Sequence, residues 1–246
     1  MPMKYALLPP EKDPMGAAIA AFFANGKASK LRVLSSMFDE DEMPVKELFC
    51  DVSQMPRLEK EALRLASGKI LDVGAGTGRH SLALQAQGKD VSAIDISLLS
   101  VQTMRKRGVK QVQQIHFFDP QFLGEYDTIL MLMNGSGIIG KVENLPSFFE
   151  KLKQLLSPTG SVLIDSSDLS FLYEDEDGGI VLDLNGDYYG EVDYQMQYEN
   201  IKGDSFSWLY IDFSTLELYA SQYGFKVEKL LEGAHYDYLA RISRDL

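Results

Sequence analysis

A glycine-rich turn is the part of this sequence whose residue types and spacing are best suited to binding chemistry. Gly74, Gly76 and Gly78 follow the short apolar run 69–73 and precede a helix-like stretch. Glycine has no Cβ, so the backbone of such a turn can lie very close to a ligand. The N–H groups and the positive dipole end at the start of the following helix favour a carboxylate or a phosphate. The turn therefore predicts a site for a nucleotide-like ligand.

An acidic residue at the end of the next apolar run completes the pattern. Asp95 lies 23 residues after Asp72, at a place where a carboxylate can accept hydrogen bonds from both hydroxyls of a ribose. A dinucleotide site usually spaces its glycines as G-x-G-x-x-G, and Arg79 stands where the last of these glycines is expected. The spacing therefore speaks against a dehydrogenase.

The elements around the turn predict an α/β fold. Short apolar runs indicate five strands, at 69–73, 90–95, 111–118, 126–133 and 161–167. Helical patterns separate them at 78–88, 97–108 and 144–160, and Ser97 is placed to cap the second of these helices. Near-continuous apolar strands alternating with helices imply a doubly wound, mostly parallel sheet that is covered on both faces.

The remaining segments complete a single domain over residues 1–246. Residues 1–66 predict an N-terminal helical cap, with helices at 15–23 and 53–68 (the second capped by Ser53) and a solvated loop at the acidic run 39–42. The core that includes the turn spans 67–168. Turn signals at 185–187 and 202–204 predict an antiparallel β insertion at 169–212. Residues 213–246 predict a helix and two strands, at 214–224, 225–231 and 235–243.

Composition limits the kind of partner and the compartment. The net charge is −12 and the nearest approach to a basic cluster is RKR at 105–107, so nucleic acid is not expected as a partner. The one cysteine, Cys50, forms no intramolecular disulfide, and the N-terminal residues lack the layout of a signal peptide. The apolar stretch 17–24 is shorter than the roughly 20 residues that span a bilayer. We expect a cytoplasmic protein with no membrane association, and we predict no metal ligands.

Several motifs together resemble those of one enzyme family. ILDVGAGTGRHSLAL and VSAIDIS resemble the first two motifs of class I S-adenosylmethionine-dependent methyltransferases. FFD (117–119), YDTILMLMNG (126–135) and LLSPTGSVLIDSS (155–167) occupy the places of the third, fourth and post-fourth motifs. The resemblance covers residues 55–168. It implies a Rossmann-like, seven-stranded sheet with a reversed C-terminal strand pair, S-adenosylmethionine as the cofactor and methyl transfer as the activity.

The resemblance also implies a set of cofactor-binding residues: Asp72, Gly74, Ala75, Gly76, Gly78, Arg79, Asp95, Ile96, Phe118, Asp119 and Asn134. The glycines would line the methionine and ribose, Asp72 would reach the amino group, and Arg79 would face the carboxylate. Asp95 would hold the ribose hydroxyls. Ile96, Phe118 and Asp119 would surround the adenine, and Asn134 would lie beside the reactive methyl.

Some of these residues have structural alternatives. Asp72 could instead tie down the turn, and Arg79 could be a surface residue of its helix. Asp119 precedes Pro120 and could only start a turn. His80, one turn into the helix, is expected to be structural.

The methyl acceptor is not specified by the motifs. Family members that methylate amino groups of DNA bases often carry an Asn-Pro-Pro-Tyr type motif after the fourth strand, whereas this chain reads Asn134-Gly135-Ser136-Gly137. Together with the acidic charge, this favours a small molecule or a protein as the acceptor, and the small molecule is the leading hypothesis. A protein acceptor, aminopropyl transfer and non-catalytic binding of S-adenosylmethionine remain alternatives.

The predicted insertion is a candidate cover for the acceptor. Residues 169–246 hold ten of the twelve tyrosines and the one tryptophan, and residues 172–193 contain eight acids without a lysine or arginine. We hypothesise that aromatics and carboxylates here meet a cationic or amine-bearing acceptor. An ordinary antiparallel sheet or a homodimer contact is the alternative, and the oligomeric state stays open. His116, His235 and Tyr188 are candidate general bases, and no catalytic residue is assigned.

Overall fold

The structure is a computed structural model that describes residues 5–175, 177, 179–180 and 186–245. The described helices are α1 (Pro14–Asn25), α2 (Arg57–Leu65), α3 (Arg79–Ala86), α4 (Leu98–Arg107), α5 (Leu145–Leu155) and α6 (Phe213–Gln222). The described strands are β1 (Leu31–Ser35), β2 (Asp41–Met43), β3 (Lys69–Val73), β4 (Asp90–Asp95), β5 (Gln111–Gln114), β6 (Tyr126–Met131), β7 (Leu156–Ser167), β8 (Glu191–Tyr198), β9 (Ile201–Lys202), β10 (Phe206–Leu209), β11 (Phe225–Glu232) and β12 (Asp237–Arg244).

The main sheet has seven strands in the order β11-β12-β7-β6-β3-β4-β5. Strands β3 to β7 are parallel to one another, and β12 lies antiparallel between β7 and β11. This confirms the predicted α/β fold class with its C-terminal strand pair. The carboxyl ends of β3, β4, β6 and β7 meet at one edge of the sheet, so that edge collects the residues that follow these strands.

Apolar side chains leave the sheet on both faces, as the near-continuous apolar runs predict. Ile129 and Val162 pack in a cluster with Phe148 of α5 and Phe225. The next residues along the same strands, Leu130 and Leu163, belong to a different cluster that includes Leu58 of α2 and Leu84 of α3. Successive strand residues point to opposite faces. Both faces are therefore buried, and the sheet is the rigid floor of the site.

A second, antiparallel sheet has the order β10-β8-β1-β2, with β9 paired to β8. It confirms the predicted antiparallel insertion, but β1 and β2 come from the N-terminal segment that was predicted to be a helical cap. The acidic run predicted to be a loop contributes Asp41 and Glu42 to β2. Arg32 of β1 donates to Glu40 at 2.6 Å. These strands are short, and β1 pairs with β8 far along the chain, so local periodicity does not reveal them.

Other boundaries differ from the prediction for local reasons. The strand predicted at 111–118 ends at Gln114, because the N–H of Asp119 bonds the carbonyl of His116 in a turn. Helix α2 starts after Pro56, so Ser53 does not cap it, whereas Ser97 caps α4 as predicted, by accepting from the N–H of Ser100. The predicted turn at 185–187 includes a residue outside the described ones. Among the described helices, none is both long and apolar enough to cross a membrane.

Candidate active site

The glycine turn has the left-handed backbone that its glycines permit. Gly74, Gly76 and Gly78 have φ angles of +66°, +55° and +77°. A Cβ on Gly78 would lie 2.7 Å from Val109 Cγ2, so packing under the turn requires glycine there. A Cβ on Gly76 would meet only the carbonyl of Gly74, at 3.9 Å. Gly76 therefore borders open space, where a ligand could lie against the backbone.

Asp95 fastens this turn to the strand beside it. Its Oδ2 accepts from the N–H of Gly76 at 2.8 Å, and its Oδ1 accepts from the N–H of Ser97 at 2.8 Å. Each carboxylate oxygen has a second lone pair, so Asp95 can still accept from two hydroxyls. Burial raises the pKa of Asp95 to about 6, and the nearby carboxylates of Asp13 and Asp72 add to the rise.

The N-terminal segment lies against the same place. The N–H of Leu8 donates to the carbonyl of Ile96 at 3.1 Å, and the Ser97 hydroxyl donates to the buried carboxylate of Asp13. Asp13 also caps α1, by accepting from the N–H of Gly16 at 2.8 Å. Sequence reasoning missed Asp13, although an acid directly before Pro14 is a helix-cap signal. The N-terminal segment thus borders the half-buried Ile96.

Asp72 is buried behind the turn, with 2% of its surface exposed. Its Oδ2 accepts from the Ser81 hydroxyl at 2.6 Å, which ties the start of α3 to the end of β3. Burial raises the pKa of Asp72. The geometry agrees with the structural alternative, in which Asp72 holds the turn.

Arg79 takes part in a buried cluster of charged side chains. Its Nη2 donates to both carboxylate oxygens of Glu59, at 2.7 and 2.6 Å, and Nη1 donates to the carbonyl of Glu47 at 2.9 Å. His80 Nε2 lies 2.6 Å from Glu59 Oε2. The pairing contradicts the surface alternative for Arg79, which is buried, and directs both Nη atoms to protein groups. Contact of Arg79 with a ligand carboxylate stays a prediction. His80 has the structural place that was expected.

The other predicted residues lie at the same edge of the sheet, and they differ in how far they are exposed to solvent. Ala75 donates its N–H to the carbonyl of Ile94 at 3.1 Å, which joins the turn to β4. Phe118 is 5% exposed and packs edge-on against Phe117. Asp119 accepts from the N–H of Gln121 at 2.8 Å, in agreement with the turn alternative.

Asn134 follows β6 in a left-handed conformation and accepts from the Ser167 hydroxyl at 2.9 Å. The loop around it is held by Asp165, which accepts from two backbone N–H groups. Burial raises the pKa of Asp165 to about 6. Sequence reasoning missed Asp165, because an acid inside an apolar strand has no partner until the neighbouring loop is known.

An acidic and aromatic group lies next to Asn134, at the end of β7. Asp168 Oδ1 accepts from the Tyr189 hydroxyl and from the N–H of Ser170, both at 2.8 Å. Its Oδ2 has no hydrogen-bond partner within the described part of the chain. The ring of Tyr189 lies 4.6 Å from that of Tyr188, and Phe171 stacks on Tyr236 at 4.7 Å. Asp168 and Tyr189 were not singled out from the sequence.

The three candidate bases lie in different environments. Tyr188 donates to Asp212 Oδ2 at 2.6 Å, and burial raises its pKa far above the ordinary value for tyrosine. His116 Nδ1 accepts from the N–H of Phe118, and burial lowers its pKa. His235 is exposed in the loop before β12.

Comparisons with known proteins agree on one enzyme class. The family model described as a methyltransferase domain matches residues 46–230. A SAM-dependent methyltransferase from Bacteroides fragilis, solved with S-adenosyl-L-homocysteine, is 62% identical with a TM-score of 0.94, and the match covers 98% of this chain and 99% of that chain. An uncharacterized methyltransferase of Staphylococcus carnosus is 26% identical over 67% of this chain and 86% of that protein. The CcbJ methyltransferase of Streptomyces caelestis, at 13% identity and a TM-score of 0.60, covers 95% of this chain and 98% of that chain and shares the fold.

The buried pair of Glu59 and Arg79 gives a prediction about stability. The substitution Glu59→Gln leaves the guanidinium without its charge partner, so we expect it to lower the free energy of unfolding by about 3 kcal/mol. The exposed pair of Glu61 and Arg64 provides the matched control, and Glu61→Gln should change stability by less than about 0.5 kcal/mol. Urea unfolding of both variants measures the difference, and equal effects would contradict the structural role given to the buried pair.

The raised pKa of Asp95 gives a second prediction. The protonated carboxyl is favoured in the free protein below about pH 6, and only the ionised form accepts hydrogen bonds with both oxygens fully. Affinity for S-adenosylhomocysteine should therefore rise with pH through about 6 and level off above it. In Asp95→Asn the rise should be absent and the affinity at about pH 8 lower by roughly tenfold. Calorimetric titration from about pH 5 to about pH 8 tests this; a wild-type affinity that does not change with pH would contradict it.

Proposed function

The chain belongs to the S-adenosylmethionine-dependent methyltransferases, and we propose that its methyl acceptor is an amine-bearing small molecule that binds beside Asp168 and Tyr189. The observation that carries the proposal is the Oδ2 of Asp168, at the carboxyl end of β7 and next to the loop of Asn134, which accepts no hydrogen bond from any residue that the structure describes. An amine or ammonium group could donate a hydrogen bond to this carboxylate oxygen. A cytoplasmic location is part of the proposal, since the one cysteine, Cys50, cannot form an intramolecular disulfide.

Two features of the cofactor pocket suit S-adenosylmethionine. The space beside Gly76 is open, and the carboxylate oxygens of Asp95 can each accept one more hydrogen bond. The residues that would hold the cofactor share this edge of the sheet: Asp72, Gly74, Ala75, Gly76, Gly78, Asp95, Ile96, Phe118, Asp119 and Asn134. The burial of Asp72 and the turn at Asp119 suit them to shaping the pocket walls. The bound cofactor supplies an activated methyl group on a sulfonium.

The task left to the protein is to orient the acceptor and to keep water away. In-line transfer requires the acceptor lone pair to be aligned with the methyl group at near-attack distance. The Ser167 hydroxyl bonds Asn134 across β6 and β7, so Asp168, the next residue, lies close to the end of the cofactor pocket. An N–H group of the amine substrate would donate a hydrogen bond to Asp168. This bond would orient the lone pair of the amine toward the methyl group.

The surroundings of Asp168 suit a cation more than an anion. The Tyr189 hydroxyl donates to Asp168, and the N–H of Asp168 donates to the carbonyl of Tyr236, whose ring stacks on Phe171. Aromatic residues are therefore bonded to Asp168, and aromatic faces attract cations. Glu174 and Asp175 lie in the segment that follows Phe171. An acidic acceptor would meet like charges here, which raises the free energy of its complex.

The proposal predicts which compounds accept the methyl group. With S-adenosylmethionine labelled on the methyl, primary and secondary amines of small size should become labelled, whereas phenols and carboxylic acids should not. Asp168→Asn should lower kcat/KM for an amine by at least about tenfold, as expected for the loss of a hydrogen bond to a charged group.

Asp193 provides the matched control for this experiment, since it is an exposed acid of β8 that accepts from the Ser207 hydroxyl. Asp193→Asn should leave kcat/KM unchanged. Turnover confined to phenols or carboxylic acids would contradict the proposal, and so would equal activity of Asp168→Asn and the wild type.

A further inference from the structure

We propose that Asp165 is a positioning residue for the cofactor: it holds the loop after β6 in a left-handed conformation that shapes the pocket for the methionine end of S-adenosylmethionine. The proposal concerns cofactor binding, and it does not depend on which acceptor the enzyme uses.

The loop has a backbone conformation that methionine does not favour. Met133 and Asn134 have φ angles of 69° and 53°. Two consecutive non-glycine residues in the left-handed region are unfavourable, because the Cβ of each crowds the following carbonyl oxygen. Such strain persists only where the surroundings hold it, and it is concentrated at functional sites.

Asp165 supplies the restraint on this loop. Its side chain is buried, its Oδ2 accepts from the N–H of Met133 at 3.2 Å, and its Oδ1 accepts from the N–H of Gly135 at 2.9 Å. The two bonds flank Asn134, whose side chain accepts from Ser167. Strand β7 therefore holds both the backbone and the side chain of Asn134. Because the side chain of Asp165 is buried and bonds the backbone of this loop, its place in the site is a supporting one.

The loop lies on the side of the glycine turn opposite Asp95. In the sheet order, β3 lies between β6 and β4, so the turn after β3 has Asp95 on one side and the loop after β6 on the other. The two loops are in contact, since a Cβ on Gly74 would lie 3.0 Å from Ile138 Cδ1. A ligand with its ribose at Asp95 that crosses the turn would place its amino-acid end at the loop of Met133 and Asn134.

The affinities of two compounds related to the cofactor can distinguish a positioning role of Asp165 from a purely structural one. S-adenosylhomocysteine carries the amino-acid end, and 5′-methylthioadenosine lacks it. In Asp165→Asn the amide nitrogen cannot accept the second backbone N–H. We expect S-adenosylhomocysteine to bind at least about tenfold more weakly, and 5′-methylthioadenosine to keep its affinity within about twofold. Calorimetric titration with both compounds measures this.

Asp127 provides a control of the same residue type. It lies at the opposite end of β6 and accepts from the N–H of Lys69 at 2.8 Å and from the Ser157 hydroxyl at 2.7 Å. Asp127→Asn should lower the melting temperature and leave the affinities of both compounds unchanged.

A second variant tests the backbone conformation with Asp165 intact. Met133 is 39% exposed, so Met133→Val removes little packing, but a β-branched residue strongly resists a positive φ. It should reproduce the selective weakening of S-adenosylhomocysteine even if Asp165→Asn does not fold. The proposal is overturned if the folded variants bind S-adenosylhomocysteine as the wild type does, or if both compounds weaken equally.

Discussion

The pocket depends on the carboxylate of Asp95, which uses one oxygen to hold the glycine turn and the other to hold the start of α4. A carboxylate can accept more hydrogen bonds than these two. The same group can therefore fix the backbone and still receive the hydroxyls of a ribose. The cost is that Asp95 is held in a poorly solvated place, near Asp13 and Asp72, which raises its pKa.

Behind the turn, charged side chains are buried in pairs that brace the start of α3. Arg79 and His80 both contact Glu59 of α2, and Asp72 of β3 accepts from Ser81. Burying charges is unfavourable unless they are paired and hydrogen-bonded. Together these contacts fix α3 against both α2 and the sheet. The glycine turn, which joins β3 to α3, is thereby held at both of its ends.

The parts of the site that are local in sequence could be predicted, and the parts made by pairing of distant segments could not. Strands β3 and β4 were predicted with their observed bounds, because each is a short apolar run with clear ends. The turn and Asp95 follow from the same local pattern. Glu59 gives no such signal, because its pairing with Arg79 depends on how α2 packs. The roles of Asp165 and Asp168 can be recognised only when β7 is known to lie beside β6. The second sheet, which brings β1 against β8, is hidden from periodicity for the same reason.

The central claim is that Asp95 and the glycine turn bind the nucleoside of the cofactor. It is tested most directly by a crystal structure of this protein with S-adenosylhomocysteine. The account predicts that both ribose hydroxyls lie about 2.6–2.9 Å from the Asp95 oxygens, with the N–H of Gly76 still bonded to the same carboxylate. A nucleoside bound away from the turn, or a ribose without contact to Asp95, would contradict it.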